Sequence, residues 1–261
     1  MRSAAYTALC AVRSEFRSLV ERWTAEHPYL RGLQEQLRAK MGYDDYSVET
    51  PIVYNEALDE ITAKDRIRFI LVADNPGKSE QLAANRRYLV GQSGKLAASW
   101  FARELGVDFR REALILNKTP VHTPKTAELR RLIALAGPRR AALSGLLEES
   151  QRAMANLAWR LYLAFGAGKS EASAILWISG RGELRRGGIF EVYREGLARL
   201  AAASPRSARR RFWAFNHFSM NQFAIELKRK AESAAGIWQN LERIGSENRD
   251  RILDFDAGGG A

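Results

Sequence analysis

The chain has 261 residues, 46% hydrophobic and 27% charged, and its 41 Lys and Arg outnumber 30 Asp and Glu for a formal charge of +11. This length suits one sizeable α/β domain, and the basic surplus favours a polyanionic partner, because each phosphate contacted releases condensed counterions; plain solubility is the alternative account. A single cysteine, Cys10, excludes an internal disulfide and any multi-cysteine zinc or iron–sulfur centre, and His27, His122 and His217 form no metal-binding pair on a helix, so neither metal nor cofactor is expected. No apolar run approaches the roughly 20 residues of a membrane span, and no long apolar leader opens the chain, which predicts a soluble cytoplasmic monomer without a membrane partner.

Val12, Phe16, Leu19, Val20 and Trp23 repeat at helical spacing up to His27-Pro28, and Leu30, Leu33, Leu37 and Met41 continue the pattern; both helices are expected to pack on the flank of a sheet. Gly42 to Pro51 reads as an extended connector. Phe69 to Ala73 is then a short apolar run that stops on Asp74-Asn75-Pro76-Gly77, the way a buried parallel strand delivers polar groups to a rim. A long loop, Gly77 to Gly91, leads to Gln92-Ser93-Gly94-Lys95, where Ser93 is expected to cap a helix through Leu105. The N–H groups of that helix start and Lys95 would suit a phosphate, although an ordinary capped helix explains them equally well.

The strand pattern recurs in Ala113–Asn117, in Ala174–Gly180 and in Phe212–His217. Between the second and third runs, Leu147, Met154, Leu157, Ala158, Leu161 and Phe165 form a long core helix ended by Gly166; Ile189, Phe190, Tyr193, Leu197 and Leu200 form a crossover helix before the fourth. A helix from about Ser219 to Glu232 and a shorter one from Ile237 to Ile244 should follow, and the tail from Asp256 is expected to be disordered. These elements predict a three-layer α/β/α sandwich around a mainly parallel four-stranded sheet. The expected organisation is an N-terminal helical extension over residues 1–65, an α/β domain over 66–250 and a tail over 251–261.

Ligands of parallel sheets bind outside the carboxyl ends of the strands, so Asp74, Asn75, Asn117 and His217 should converge on one crevice despite their separation in sequence. Two Gly-Lys-Ser triplets, at Gly77 and Gly168, invite a phosphate-loop reading, but the glycine required five residues earlier is Val72 in one and Leu163 in the other. No G-x-G-x-x-G opens a helix after a strand either. Arginine and lysine clusters such as Arg86-Arg87, Arg110-Arg111 and Arg209-Arg210-Arg211 are spread along the chain, several of them near the proposed crevice in sequence.

Ala73-Asp74-Asn75-Pro76-Gly77 resembles the first active-site motif of the uracil-DNA glycosylase superfamily. Tyr88-Leu89-Val90-Gly91-Gln92-Ser93-Gly94-Lys95 resembles a later stretch of its iron–sulfur branch, Leu114 to Pro120 the strand whose terminal asparagine reads the base, and Asn216-His217-Phe218-Ser219-Met220 its last motif. The four occur in the superfamily's order over roughly residues 66–230, with the N-terminal helices outside the match. The resemblance implies a monofunctional DNA glycosylase of a divergent branch, lacking the cluster. Such an enzyme flips a deaminated base, uracil first, out of DNA and hydrolyses its N-glycosidic bond in base excision repair. Asp74 and Asn75 would activate or position water, and His217 would donate to the departing base. Asn117, Gly77, Tyr88 and Leu89 would form the base pocket, and Ser93, Lys95, Phe218, Ser219, Met220 and Asn221 would contact DNA.

This sequence also departs from the pattern. Leu89 stands where a phenylalanine stacks on the base, leaving Tyr88 as the substitute; Gly77 replaces a tyrosine that excludes the thymine methyl; Phe218 replaces proline, so that Phe218 or Met220 would supply the apolar wedge that offsets unstacking, about a few kcal/mol. Each residue also has an ordinary structural role available: Asn75 as a turn residue, Asp74 as a helix cap, Asn117 as a strand terminator, His217 as a rim histidine. A non-catalytic nucleic-acid-binding protein of this fold and a small-molecule nucleoside hydrolase or phosphoesterase are the rival readings.

Overall fold

The computed structural model describes residues 3–167, 170 and 172–254. Gly168, Lys169 and the tail from Asp256 lie outside the described residues. In chain order the elements are α1 (Ser3–Glu26), α2 (Leu30–Lys40), β1 (Phe69–Ala73), α3 (Gln92–Leu105), the single turn α4 (Phe109–Glu112), β2 (Ala113–Asn117), α5 (Glu128–Leu135), α6 (Arg140–Ala164), β3 (Ile175–Ser179), α7 (Glu191–Ala202), β4 (Phe212–Phe215), α8 (Gln222–Lys230) and α9 (Ile237–Leu253).

Every residue of the four strands is buried, as expected of strands covered on both faces and apolar throughout. They pair in parallel in the order β2-β1-β3-β4, with Ala73 opposite Asn117 and Val72 opposite Ile178. The fold is thus a mixed α/β architecture with a central parallel sheet flanked by helices, consistent with an α/β/α sandwich.

Strand alternation divides the side chains. Phe69, Leu71, Trp177, Trp213 and Phe215 share one face. There the indole of Trp177 sits among Phe101 (5.2 Å) and Trp100 (6.2 Å) of α3, Phe223 of α8 (5.4 Å), and Phe215 (4.3 Å) and Phe218 (6.3 Å) at the end of β4. α6 lies against β1 and β2 and packs along α7.

Three expectations need correcting. α1 and α2 pack on helices, α1 along α6 and α2 along α5, and so extend the helical layer instead of lying directly on the sheet. α3 begins two residues early with Gly91 as its cap, so Ser93 lies inside the first turn and caps nothing. α9 runs to Leu253, well past Ile244, because polar residues in its second half are buried and anchored: Asn248 donates to the Ala214 carbonyl (2.9 Å) and Arg249 to the Phe212 carbonyl (3.0 Å). Those polar side chains hide the helix from an apolar-period reading.

Removing the indole at the centre of this cluster leaves a large void among rings fixed by three elements. Trp177→Ala is therefore expected to lower unfolding free energy by about 3–5 kcal/mol in urea titration.

Candidate active site

β1 is followed by β2 on one side and, after α6, by β3 on the other, so the strand order reverses between β1 and β3, where a crevice is expected outside their carboxyl ends. Asp74 ends β1 there and Gly180 ends β3. Gly180 has φ +78°, and a Cβ on it would stand 2.3 Å from Asp74 Oδ1, so both its backbone and the carboxylate beside it require glycine. A cavity of about 360 Å³ opens at this point. Of the residues expected at the site, Asp74, Asn75, Gly77, Leu89, Ser93, His217 and Ser219 line it, joined by Glu80, Thr123, Lys125 and Thr126.

Asp74 is held from two sides. Lys118, whose side chain is fully buried, donates from Nζ to Asp74 Oδ1 and to the Ser179 carbonyl, and Thr126 Oγ1 donates to Oδ2 at 3.1 Å. The Phe190 ring lies 5.1 Å from the ammonium. Burial pushes the Lys118 pKa down, against the pull of the Asp74 charge. A cation so placed survives only because its acceptors replace water.

Asn75 is fixed by its amide nitrogen, which donates to Thr123 Oγ1 at 2.9 Å and faces the carbonyls of Val121 and Thr123, each at 3.3 Å. Three carbonyl and hydroxyl acceptors on one side identify that atom as nitrogen. The other end, Oδ1, is left as an acceptor with no hydrogen bond to the described residues, suited to orient a water.

His217 is held through Nδ1, which accepts the Ser219 backbone N–H at 3.0 Å and lies 2.8 Å from Ser219 Oγ. A ring nitrogen accepting a backbone N–H is unprotonated, so the neutral ring carries its proton on Nε2. Burial lowers the His217 pKa, the Asp74 charge opposing and the Lys118 charge assisting, which keeps the ring neutral. The segment before it is anchored by Glu226 of α8, whose buried carboxylate accepts the Asn216 N–H at 2.9 Å and also receives Arg181, Lys230 and Asn248 at 3.1–3.2 Å.

Asn117 is buried and does not line the cavity, yet it stands abreast of Ala73, which does. Neither end of its amide has a hydrogen-bond partner among the described residues, and the same holds for the hydroxyl of Ser179 on the other side of β1. Asn117, Ala73 and Ser179 share one face of the sheet by alternation, so orphaned polar groups flank the floor of the hollow. Each such group costs about 1–3 kcal/mol while unpaired.

The remaining expectations divide. Tyr88 is turned into the core, its hydroxyl donating to the Val53 carbonyl, and does not line the cavity. Leu89 does, with φ +56°, a conformation uncommon for a side chain of its kind, and its carbonyl accepts from Arg110 while resting on Gly94, where a Cβ would stand 1.3 Å away. Phe218 is 3% exposed and stacked on Trp177, so it belongs to the aromatic core and cannot act as a wedge. Met220 is 78% exposed, and both it and Asn221 adopt positive φ, 50° and 55°. Two such residues in succession store backbone strain at the rim of the cavity. Lys95 is exposed on the first turn of α3.

Sequence reasoning missed Lys118 and Glu80. Lys118 and Asp74 each sit one step beyond the paired strand ends Asn117 and Ala73, a matched position that signals a cross-strand ion pair. Glu80 lies in a polar loop with no periodicity. Its Oε2 accepts the Gly77 N–H at 3.3 Å, and burial raises its pKa from 4.5 to about 7, against the N–H groups of Gly77 and Leu89 and the charge of Arg110.

Among the described residues no group of His, Cys, Asp or Glu is placed to hold a metal ion, and no helix is long and apolar enough to cross a membrane. Set against known proteins, the chain matches no family model, no curated protein and no solved structure.

The Glu80 carboxyl holds a proton in the folded state over a range where the unfolded chain has released it, so its contribution to stability falls as pH rises from 4.5 to about 7. His122, buried with a pKa lowered from 6.5 to about 4, works in the opposite sense over 4 to 6.5 and masks this slope in the parent protein. The stability difference between Glu80→Gln and the parent, followed by urea titration from pH 4.5 to 8, is expected to move in favour of the variant up to about pH 7 and then to level off.

Proposed function

We propose that this protein is a monofunctional DNA glycosylase that takes a deaminated base, uracil in the first instance, into the cavity beside Asp74 and hydrolyses its N-glycosidic bond. The observation that carries the reading is the joint lining of one hollow, at the reversal point of a parallel sheet, by a carboxylate, a fixed amide and a neutral imidazole from segments more than 140 positions apart. The resemblance of the motifs in sequence order supports it, and so do the unpaired amide of Asn117 and hydroxyl of Ser179, which flank the cavity floor and would pair with a base edge once the floor side chains give way.

In this reading a water held by Asn75 Oδ1 attacks the anomeric carbon as the bond to the base nitrogen breaks. The bonding electrons leave with the base, where the N–H at His217 Nε2 meets the oxygen that gains negative charge. Asp74 faces the positive charge that develops on the sugar, and Lys118 and Thr126 hold its oxygens in place. The water's proton passes to solvent or to Asp74. Lys125 lines the cavity, and in this reading it meets the DNA backbone while the water held by Asn75 is the nucleophile, so no Schiff base forms. Lys95 and Lys125 place positive charge near the opening for the DNA backbone, and Met220 would fill the gap left by an extruded nucleotide.

Uracil-containing single strands and duplexes, incubated with the protein and then treated with alkali, should break at the lesion. His217→Ala and Asn75→Ala should each slow the reaction by roughly 10²-fold or more, as for loss of one stabilising donor, with unchanged unfolding curves. Excision should weaken steeply with salt. No scission with uracil or hypoxanthine, or salt-insensitive turnover of free nucleosides, would overturn the proposal. Met220→Ala should reduce excision from duplex several-fold while leaving single strands nearly unaffected, because only the duplex leaves a gap to fill; equal losses on both substrates would remove Met220 from the wedge role.

A further inference from the structure

A second hollow beside the sheet, larger than the cavity of the proposed active site, lies away from it at the amino ends of β1, β3 and β4. It has a volume of about 580 Å³, within the range of small-ligand sites. Phe69 lines this hollow and Ala73 lines the other, so β1 separates them by about 13 Å at its ordinary rise per residue. One ligand group cannot occupy both.

The lining is strongly cationic. Arg66 and Arg68 arrive on the segment entering β1 and Arg210 and Arg211 on the segment entering β4, so two separate stretches of chain bring four guanidinium groups to one concavity. Glu242 is the single carboxylate among the described lining residues. Arg68 is partly offset by Glu112 outside the hollow, at 3.5 Å, whereas Arg66 and Arg210 have no carboxylate within salt-bridge distance among the described residues. Like charges gathered this way repel one another unless an anion enters.

The hollow also has an aromatic wall. Trp238, 37% exposed at the start of α9, stacks on Phe69 with ring centres 6.4 Å apart, and the Arg68 guanidinium lies 5.6 Å from the Trp238 ring. That contact limits the freedom of Arg68 and leaves its N–H groups to face an acceptor.

We propose that this hollow is a second ligand site, built for a small, multiply phosphorylated molecule whose adjacent phosphates bridge the arginines of the β1 and β4 entries. Guanidinium forks match phosphate oxygens in pairs, and two linked phosphates would reach Arg66 on one entry and Arg210 on the other, the two lining arginines with no carboxylate partner among the described residues. A compact ligand fits better than the backbone of a nucleic acid. The cations converge on one concavity, whereas a polymer backbone is followed by a stripe of charges along a groove.

Inorganic pyrophosphate, titrated into the full-length protein in a calorimeter, should bind with one site per chain. The double substitution Arg66→Ser, Arg210→Ser removes two side chains without carboxylate partners and should raise the dissociation constant about tenfold or more. The double substitution Lys228→Ser, Arg229→Ser changes net charge by the same amount on exposed positions of α8 and should leave binding as it was. Pyrophosphate that fails to saturate, or that responds equally to both double variants, would overturn the proposal by reducing the effect to general charge attraction. A single-stranded oligonucleotide of undamaged sequence separates the remaining case: if its binding falls in the Arg66, Arg210 variant while pyrophosphate never binds, the hollow is a nucleic-acid contact and the small-ligand proposal is overturned. A nucleoside diphosphate that binds more tightly than pyrophosphate, with quenching of Trp238 fluorescence, would place its ring against the aromatic wall.

Discussion

One buried ammonium ties the carboxyl ends of three strands together. Lys118 follows β2, its partner Asp74 follows β1, and its second acceptor, the carbonyl of Ser179, belongs to β3. A lone cation in this position would be expelled or deprotonated, and a lone Asp74 would suffer the same cost with the opposite sign, so each exists because of the other. The backbone reinforces the arrangement: the Lys118 N–H reaches the carbonyls of both Ala73 and Asp74, each at 2.9 Å. The place where parallel strands diverge is the weakest part of such a sheet for packing and the natural place for a ligand. Here a polar clamp does the work that apolar contacts do elsewhere, and it leaves a charged rim.

The groups around the rim are fixed one by one from behind. Asn75 is tethered to the segment after β2, His217 is locked by Ser219 and preceded by the Glu226 anchor, and Leu89 is pressed on Gly94 and gripped by Arg110. For Asn75 and His217 the tether consumes one end of the polar group and leaves the other, Oδ1 or Nε2, without a partner among the described residues. This arrangement suits chemistry in which donors and acceptors must already be in position when charge develops, since no reorganisation is then required at the moment of reaction.

Much of this was legible in the sequence for a simple reason. Strands buried on both faces must be apolar, so a polar residue at the end of such a run stands out, and Asp74, Asn75, Asn117 and His217 were visible on that basis. Side chains that break the same logic were not visible. Lys118 follows a strand directly and reads as a solvent-facing residue, although it is fully buried. Glu80 lies in a polar loop that folds back over the cavity. Phe218 occupies a motif position expected at the surface, but an aromatic ring beside Trp177 gains more from the core. The second half of α9 is hidden from apolar periodicity because Asn248 and Arg249 look like surface residues and act as anchors. These misses share one cause: burial of polar atoms is decided by partners distant in sequence, and periodicity carries no record of them.

The amide of Gln34 in α2 donates to the carbonyls of His122 (2.8 Å) and Pro51 (3.0 Å), and His122 sits in the very segment that tethers Asn75. One of these bonds reaches that segment directly, and the other reaches it through Pro51, whose carbonyl also accepts the His122 N–H at 3.0 Å. The helices before β1 thus brace the segment that tethers Asn75, and a fragment started at the first strand would keep the cavity's side chains without the scaffold that aims one of them. Any attempt to pare the protein down to the sheet and its cavity should keep its first forty residues.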